Sequence, residues 1–308
     1  MNEYEFILQD RIAKIQAIDK EYNLKENGYL SLSGGKDSII VHYLLDIAIP
    51  NNQIPRLYIN TGIEYIDMVK YVKKLAEQDK RIIIINSGVK IKPMLEKYGY
   101  PFKSKEHSLR VFQFNKNSNA PFLKKYLSEY TEKGIRNKFH CPKKLKYQFN
   151  KKQVYNYSDK CCYKLKKEPA LKWSKENNKN IIITGIKKEE KGNRERLSCI
   201  SKANRQTKFH PLLVVTEKWE NEFLRKNNIQ LCKLYYPPYN FKRTGCRGCP
   251  FNLNLQKDLD TMDRLLPYDY KASEHLWKPI YDEYRRIGYR LRKNKARQLT
   301  IEDILWNT

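Results

Sequence analysis

The sequence predicts an α/β protein with a parallel, doubly wound sheet and a helical C-terminal region. Three observations carry that prediction. Short apolar runs suited to strands alternate with helical patterns between residues 29 and 86. Glycine-bearing breaks follow the runs directly, at Ser33-Gly34-Gly35, Thr61-Gly62 and Thr184-Gly185. Strand–helix alternation of this kind calls for parallel pairing with crossover helices. Ligands of such sheets bind beyond the carboxyl ends of the strands, so the three breaks mark one end as the candidate site.

The elements follow in order. Ile7, Ile12, Ile15 and Ile18 recur at helical spacing, which makes residues 1–23 an amphipathic helix. Leu30 to Ser33 is the first strand and Asp37 to Ala48 the first helix. Arg56 to Asn60 is the second strand and Ile66 to Gln78 the second helix. Arg81 to Asn86 is the third strand, and its four isoleucines suit burial on both faces. Ile181 to Thr184 is a further strand. Residues 103–160 carry no strand signal and are rich in Lys, Asn, Tyr and Phe, as in a helical insertion or a basic lid. The break Tyr235-Tyr236-Pro237-Pro238-Tyr239 sets a boundary. Residues 1–235 are then an α/β domain with a basic insertion at about 103–160, and 236–308 a helical region carrying Cys246-x-x-Cys249.

Composition narrows the classes. Apolar residues are 40% of the 308, near the globular norm, which excludes wholesale disorder. The longest apolar run, Ile39 to Pro50, is interrupted by His42 and Asp46 and does not read as a membrane span. MNEYEFILQDR lacks the layout of a signal peptide, so a cytoplasmic protein without a membrane partner is expected. Seven cysteines, an odd number, suit a reducing compartment and a metal or redox role. The net charge of +27 sets up a long-range positive field and predicts a polyanionic partner such as tRNA or DNA. The alternative is the general Lys and Asn surplus of an AT-rich genome, because the lysines are spread along the chain.

Ser33-Gly34-Gly35-Lys36-Asp37-Ser38 joins the first strand to the first helix. The glycines let the backbone approach a ligand, and the helix start presents N–H groups with a partial positive charge. Lys36 adds a full charge, and Ser33 and Ser38 add hydroxyls. The segment reads as a phosphate cradle, with a Gly-Gly turn and a helix-capping Asp or Ser as the plainer alternative. The Walker spacing is absent. The hexapeptide resembles the SGGxDS loop of the PP-loop ATP pyrophosphatases, whose fold is the adenine nucleotide alpha-hydrolase-like (HUP) sheet. That superfamily includes tRNA thiolases, amide-forming synthetases and sulfonucleotide reductases. The resemblance implies an adenine nucleotide, ATP or APS/PAPS, with Mg²⁺. Ser33, Gly34, Gly35, Lys36, Asp37 and Ser38 would bind it, with Thr61, Gly62, Thr184, Gly185 and Lys187 at neighbouring strand ends. Lys36, Asp37 and Arg194 are the candidate catalytic residues.

Cys161-Cys162 and Cys246-x-x-Cys249 form a second constellation. Adjacent cysteines are poor disulfide partners, with Cα atoms only about 3.8 Å apart. Two such pairs supply the four thiolates of a [4Fe–4S] cluster. A structural zinc site and unrelated buried thiols are the alternatives. The pairing resembles the [4Fe–4S] motif of the cluster-containing APS reductases. Pro169 downstream of the Cys pair, Ile183-Thr184-Gly185 with Arg194, and Pro211-Leu212 with Thr216 and Trp219 resemble further segments of that family. The likeness runs from about residue 28 to 252 and is closer still to stand-alone PAPS reductase family proteins of phages and mobile elements. Thr216 is the expected helix cap.

The sequence also departs from that family. No cysteine follows Cys249, so the C-terminal nucleophile of sulfonucleotide reductases is missing. Reduction by the usual mechanism is not expected. Of Cys141, Cys199 and Cys232, Cys141 is the best placed to be a reactive thiol. What the resemblance leaves is ATP pyrophosphatase chemistry: adenylation followed by sulfur transfer to nucleic acid or a small metabolite. A cysteine desulfurase would be a suitable sulfur donor. The alternatives are a sulfonucleotide reductase with an external thiol and a non-catalytic nucleotide-binding regulator. Trp277 to Arg290 mixes aromatic and basic residues, as in a nucleic-acid surface or, more plainly, a helix with its aromatics packed inward. His42, His107 and His275 show no ligand spacing. His107 and Arg110 are weak candidates for sugar or phosphate contact.

Overall fold

A computed structural model of the chain describes residues 2–150, 155–190, 196–203 and 206–293. Two compact units result. One comprises Met1–Val89 and Cys162–Arg247, the other Lys90–Cys161 and Gly248–Thr308. Residues 236–247, which follow the Tyr-Pro break, fold with the first unit.

The first unit is built on six strands: β1 (Gly28–Leu32), β2 (Arg56–Asn60), β3 (Ile82–Asn86), β4 (Ile181–Ile183), β5 (Ile200–Ala203) and β6 (Gln206–Phe209). Their order is β3-β2-β1-β4-β6-β5. Neighbours pair in parallel except β5 and β6. The α/β expectation therefore holds, and the sheet is mostly parallel. β5 and β6 lack an apolar run, because both sit toward an edge and carry polar residues such as Ser201, Lys202, Thr207 and Lys208. β3 is the opposite edge, so only Ile82 of its isoleucines is fully buried, and the expected two-sided burial is not met.

The helices of this unit obey local rules. The helix Glu3–Tyr22 starts with a capping box between Asn2 and Glu5 and stops at Asn23 in the left-handed region. The helix Lys36–Ala48 buries Ile39, Ile40, Val41, Leu44, Leu45 and Ala48. Its far end is tied to the sheet by a buried cation. Arg56, at the start of β2, reaches Asp46 at 2.7 Å and Asn52 at 2.7 Å, and Arg81 joins the same Asp46. The glycine loop lies at the other end of this helix, where the strands finish. Strand order reverses about β1, with β2 and β3 on one side and β4 and β6 on the other. The crevice outside that reversal is where doubly wound sheets take ligands.

The second unit packs an aromatic core. Phe102 lies 4.6 Å from Tyr284 and 4.8 Å from Tyr157, ring centre to ring centre. His107 is fully buried between the Tyr126 hydroxyl and Gln148, and burial lowers its pKa to about 3. It is a neutral core histidine and not a phosphate contact. The helix Pro267–Ile287 buries Trp277, Ile280, Tyr281 and Tyr284, while Arg285 and Arg286 pair with Glu274 and Glu283. The aromatic–basic stretch is thus a packed helix. Cys141 is fully buried, and burial pushes its thiol up to about 11, which removes it as a reactive thiolate. No helix among the described residues is long and apolar enough to cross a membrane.

Gly185 follows β4 and admits no side chain. A Cβ there would sit 2.8 Å from the Asp37 carbonyl carbon and 2.8 Å from its Cβ. Gly185→Ala is expected to cost about 1–3 kcal/mol by overpacking, read as a lower urea midpoint with an unchanged slope. Wild-type stability in that variant would show that the strand end and the helix start can separate freely.

Candidate functional site

The loop after β1 is held by its own hydroxyls. Ser33 Oγ lies 3.0 Å from Ser38 Oγ and accepts the Gly35 N–H at 3.3 Å, while Ser38 Oγ donates to the Gly35 carbonyl at 2.9 Å. Gly34 has φ +74°, and a Cβ there would meet Met68 Sδ at 2.4 Å. Both conditions demand glycine. The helix Lys36–Ala48 has no side-chain cap. Its first N–H, from Lys36, donates to the Tyr235 hydroxyl at 3.2 Å, and that hydroxyl also meets Thr244 Oγ1 at 2.7 Å. A phenol is a modest acceptor at a helix N-terminus that would favour an anion.

Charge converges on the same turn. Lys36 Nζ lies 3.1 Å from Glu217 and 3.4 Å from Glu220. Lys187 Nζ lies 2.6 Å from Glu220, 3.6 Å from Asp37 and 3.9 Å from Glu189. Glu217 and Glu220 project from the helix Glu217–Lys226, whose N-terminus Thr216 caps as expected. Glu220 is wholly buried, and its Oε1 has no hydrogen-bond partner among the described residues. Burial pushes its carboxyl up to about 7, and Asp37 adds repulsion. Burial alone would lower Lys187, but Glu220, Asp37 and Glu189 outweigh it and hold the ammonium above the ordinary lysine range. The lysine stays charged beside a carboxyl that resists ionisation. Beyond the loop, Thr184 Oγ1 lies 2.7 Å from His210 Nδ1, and burial lowers that imidazole to about 4, so it is neutral.

Ser33, Lys36, Asp37, Lys187, Glu217 and Tyr235 border a cavity of about 1250 Å³. Tyr29, Leu57, Ile59 and Ile182 floor it, and the glycine loop closes one end. A polar, cation-bearing end joined to an apolar floor suits a ligand with a phosphate part and a flat organic part.

The phosphoadenosine phosphosulfate reductase domain family matches residues 27–140 and 120–252. The chain belongs to this family. An uncharacterized protein of Methanocaldococcus jannaschii, MJ0973, is 31% identical over 137 residues, which are 42% of this chain and 32% of that protein. The match thus spans about a third of the curated relative's length. Among solved structures, the phosphoadenylyl-sulfate (PAPS) reductase of Candida auris aligns with a TM-score of 0.43 at 15% identity, covering 75% of this chain and 87% of that one. The U34-tRNA thiolase NcsA of Methanococcus maripaludis with its [4Fe-4S] cluster aligns at 0.41 and 15% identity, covering 96% and 85%. Candida glabrata FMN adenylyltransferase aligns at 0.44 and 15% identity, covering 80% and 63%.

In this reductase-domain chain, Ser33, Gly35, Lys36, Asp37, Ser38, Thr184 and Lys187 line the cavity. Gly34 and Gly185 stand behind it and permit the close packing. Thr61 and Gly62 are off the lining. The Thr61 N–H and Oγ1 both go to Glu64, at 3.0 and 2.7 Å. Arg194 lies outside the described residues. Sequence reading missed Glu217, Glu220 and Tyr235. The two glutamates are legible only as an acidic first turn after Thr216, and Tyr235 only as part of a break.

The cysteines divide between the two units: Cys162 and Cys246 belong to the first, Cys161 and Cys249 to the second. None of the seven is in a disulfide. Within the first unit, the Glu64–Cys246 bridge brings Cys246 near Lys166. The Cys246 sulfur is the main influence that holds Lys166 above the ordinary lysine range, with Glu64 and Cys162 adding to it. Two thiols beside a cation make a suitable half of a thiolate donor set. Among the described residues, no three His, Cys, Asp or Glu side chains gather as for a metal ion.

The folded chain keeps a proton on Glu220 that the unfolded chain releases between about pH 4.5 and 7. Stability therefore falls as pH rises through that window, and the full penalty is present above it. Relative to wild type, Glu220→Gln should gain about 2 kcal/mol between pH 5 and pH 8, measured by urea unfolding at both. Parallel pH profiles for the two proteins would show that Glu220 ionises normally.

Proposed function

We propose that the chain is a cytoplasmic enzyme of ATP pyrophosphatase type that adenylates an acceptor oxygen and prepares it for sulfur transfer. The reading rests on one observation. Lys36 and Lys187 approach from two strand ends and converge on Glu220 beside Asp37, at a helix N-terminus whose first N–H has only a phenol hydroxyl as acceptor. Two cations and backbone N–H groups in that arrangement suit a leaving pyrophosphate, and catalysis there is positioning and charge neutralisation.

In the first step the acceptor oxygen attacks the α-phosphorus of ATP. A new P–O bond forms, the bond to the β-phosphate oxygen breaks, and pyrophosphate leaves with the electron pair. Lys36 and Lys187 exchange their carboxylates for phosphate oxygens, and Asp37 would hold the accompanying Mg²⁺. The adenosine lies on the apolar floor near Leu57 and Ile59. In the second step the terminal sulfur of a donor persulfide, such as that of a cysteine desulfurase, attacks the activated acceptor, and AMP departs with the acceptor oxygen. A second thiol then cleaves the S–S bond to the donor, which releases the thiolated acceptor and leaves a disulfide on the donor side. Arg194 is assigned to phosphate contact from its motif. Cys161, Cys162, Cys246 and Cys249 would hold a [4Fe–4S] cluster, whose chemistry when bound is to carry or activate sulfur. The charge of +27 favours a nucleic acid, tRNA or DNA, as acceptor.

Lys36→Ala is expected to lower ATP binding and pyrophosphate release at least about 100-fold, the scale of losing one preorganised charge-stabilising group, in a coupled pyrophosphate assay. Sulfite release from APS or PAPS with a thiol reductant, and no pyrophosphate from ATP, would replace this reading with a reductase. Tight nucleotide binding with neither product would leave a regulator. Anaerobically purified protein should carry about four irons per chain, lost in Cys161→Ser and Cys249→Ser; stoichiometric zinc would remove the cluster.

A further inference from the structure

The carboxylates around the cavity are already committed. Asp37, Glu189 and Glu217 lie against Lys36 and Lys187, Glu64 against Lys166, and Glu168 against Lys164. Cationic side chains outnumber them along the wall. Among the described residues, no acid forms an ion pair with Lys167, Lys175 or Lys208, although all three line the cavity.

Lys208 is the unusual one. It lies within β6, in register with Ile182 of β4, and shares the cavity face with Tyr29, Leu57 and Ile182. A half-buried ammonium on an apolar sheet face is costly without a counter-ion. The charge that bears on it is another lysine, Lys167. Lys167 ends a π-helical turn, Tyr163–Lys167, in which the Glu168 N–H reaches the Tyr163 carbonyl. Pro169 follows and has no N–H to give the preceding turn. Such turns insert an extra residue and re-aim side chains. Here Lys166 goes to Glu64, while Lys167 lines the cavity with Lys208 and its charge bears on that ammonium. Tyr163, 41% exposed, opens the same turn and lines the cavity. Lys172 and Lys175, three apart on the following helix, continue the cationic row. The cavity also exceeds the ~300–1,000 Å³ that one small ligand fills, so a nucleotide on the glycine loop leaves room beside it.

We propose that this face is a single-stranded nucleic-acid site, in which Lys167 and Lys208 share one backbone phosphodiester and Tyr163 stacks on an adjacent base. A phosphate there removes the repulsion between the two lysines, and base stacking on one ring adds affinity without reading sequence. The proposal names the acceptor of the adenylation reading and rests on it for function, but binding can be measured without ATP.

The test is fluorescence anisotropy of the full chain with a labelled 20-nucleotide oligouridylate across a salt series. Lys167→Gln/Lys208→Gln should weaken binding about tenfold or more and flatten the log K against log salt slope by about 0.7, the value for one neutralised phosphate. Lys73→Gln/Lys74→Gln, equal in charge change on the exposed face of Ile66–Gln78, should change neither by more than a fraction. ATP affinity should be unchanged in the Lys167/Lys208 variant. Lys208→Met should melt no lower than wild type, because it removes an unpaired half-buried charge, and should still bind RNA weakly. Absence of RNA binding by the wild type, or equal losses in both double variants, overturns the proposal. So does loss of affinity for a 3′-phosphorylated adenylyl sulfate with RNA binding intact, which would give the lysines to the nucleotide. If the wild type binds RNA through these lysines but not ATP, the surface stands and the adenylation reading fails.

Discussion

The site depends on a steric constraint: a strand end and a helix start in contact with no side chain between them. Gly185 lies against the Asp37 backbone, and Gly34 against Met68 and Val72, each at a distance that a single methyl would violate. Because of the first contact, the loop after β4 delivers Lys187 to the same turn that carries Lys36. Because of the second, the loop after β1 can reverse tightly enough to point the helix N-terminus into the cavity. The convergence of Lys36 and Lys187 on one turn is a consequence of backbone packing, and the charged residues arrive on backbones already placed.

The charges then face a problem of their own. Two lysines close together without an anion repel each other, and a half-buried pair would be worse. Glu217 and Glu220 answer from a neighbouring helix by pairing with the lysines. Glu220 does so from full burial and with one oxygen unpartnered among the described residues, so its hold on Lys187 is weaker than the short distance suggests. Such a carboxyl can give up a cation to an incoming polyphosphate and take a proton in return. A well-solvated glutamate would stay ionised and compete with the ligand.

Much of this was legible in the residues, unevenly. β1, β2, β3 and β4 announce themselves because apolar runs end in glycine turns, and that spacing alone leads to the strand ends where the cavity lies. The glycine loop and Lys187 follow from it. β5 and β6 do not, since an edge hairpin with Ser201, Thr207 and Lys208 carries no apolar run. Glu220 and Tyr235 are invisible for a different reason: they join the site through tertiary packing, and their sequence neighbours read as a helix start and a proline break. Thr61-Gly62 stands apart: it follows a strand as expected, but Glu64 three residues on holds Thr61, and the pair is not part of the cavity lining.

The net charge illustrates how position outranks composition. A surplus of lysine says little in a chain whose lysines are spread throughout. The informative quantity is where carboxylates fail to follow. At the glycine loop every lysine has an acid within reach, which fits a site that must bind and release a mobile anion. On the sheet face Lys208, with the exposed Lys167 of the π-helical turn acting on it, has no acid in ion-pair reach among the described residues, which fits a site whose counter-ion belongs to another molecule. A genome-wide lysine bias would place such residues at the solvated rim, where a charge costs nothing. It offers no reason for an ammonium beside Ile182 on an apolar floor, where methionine or isoleucine would stabilise the fold.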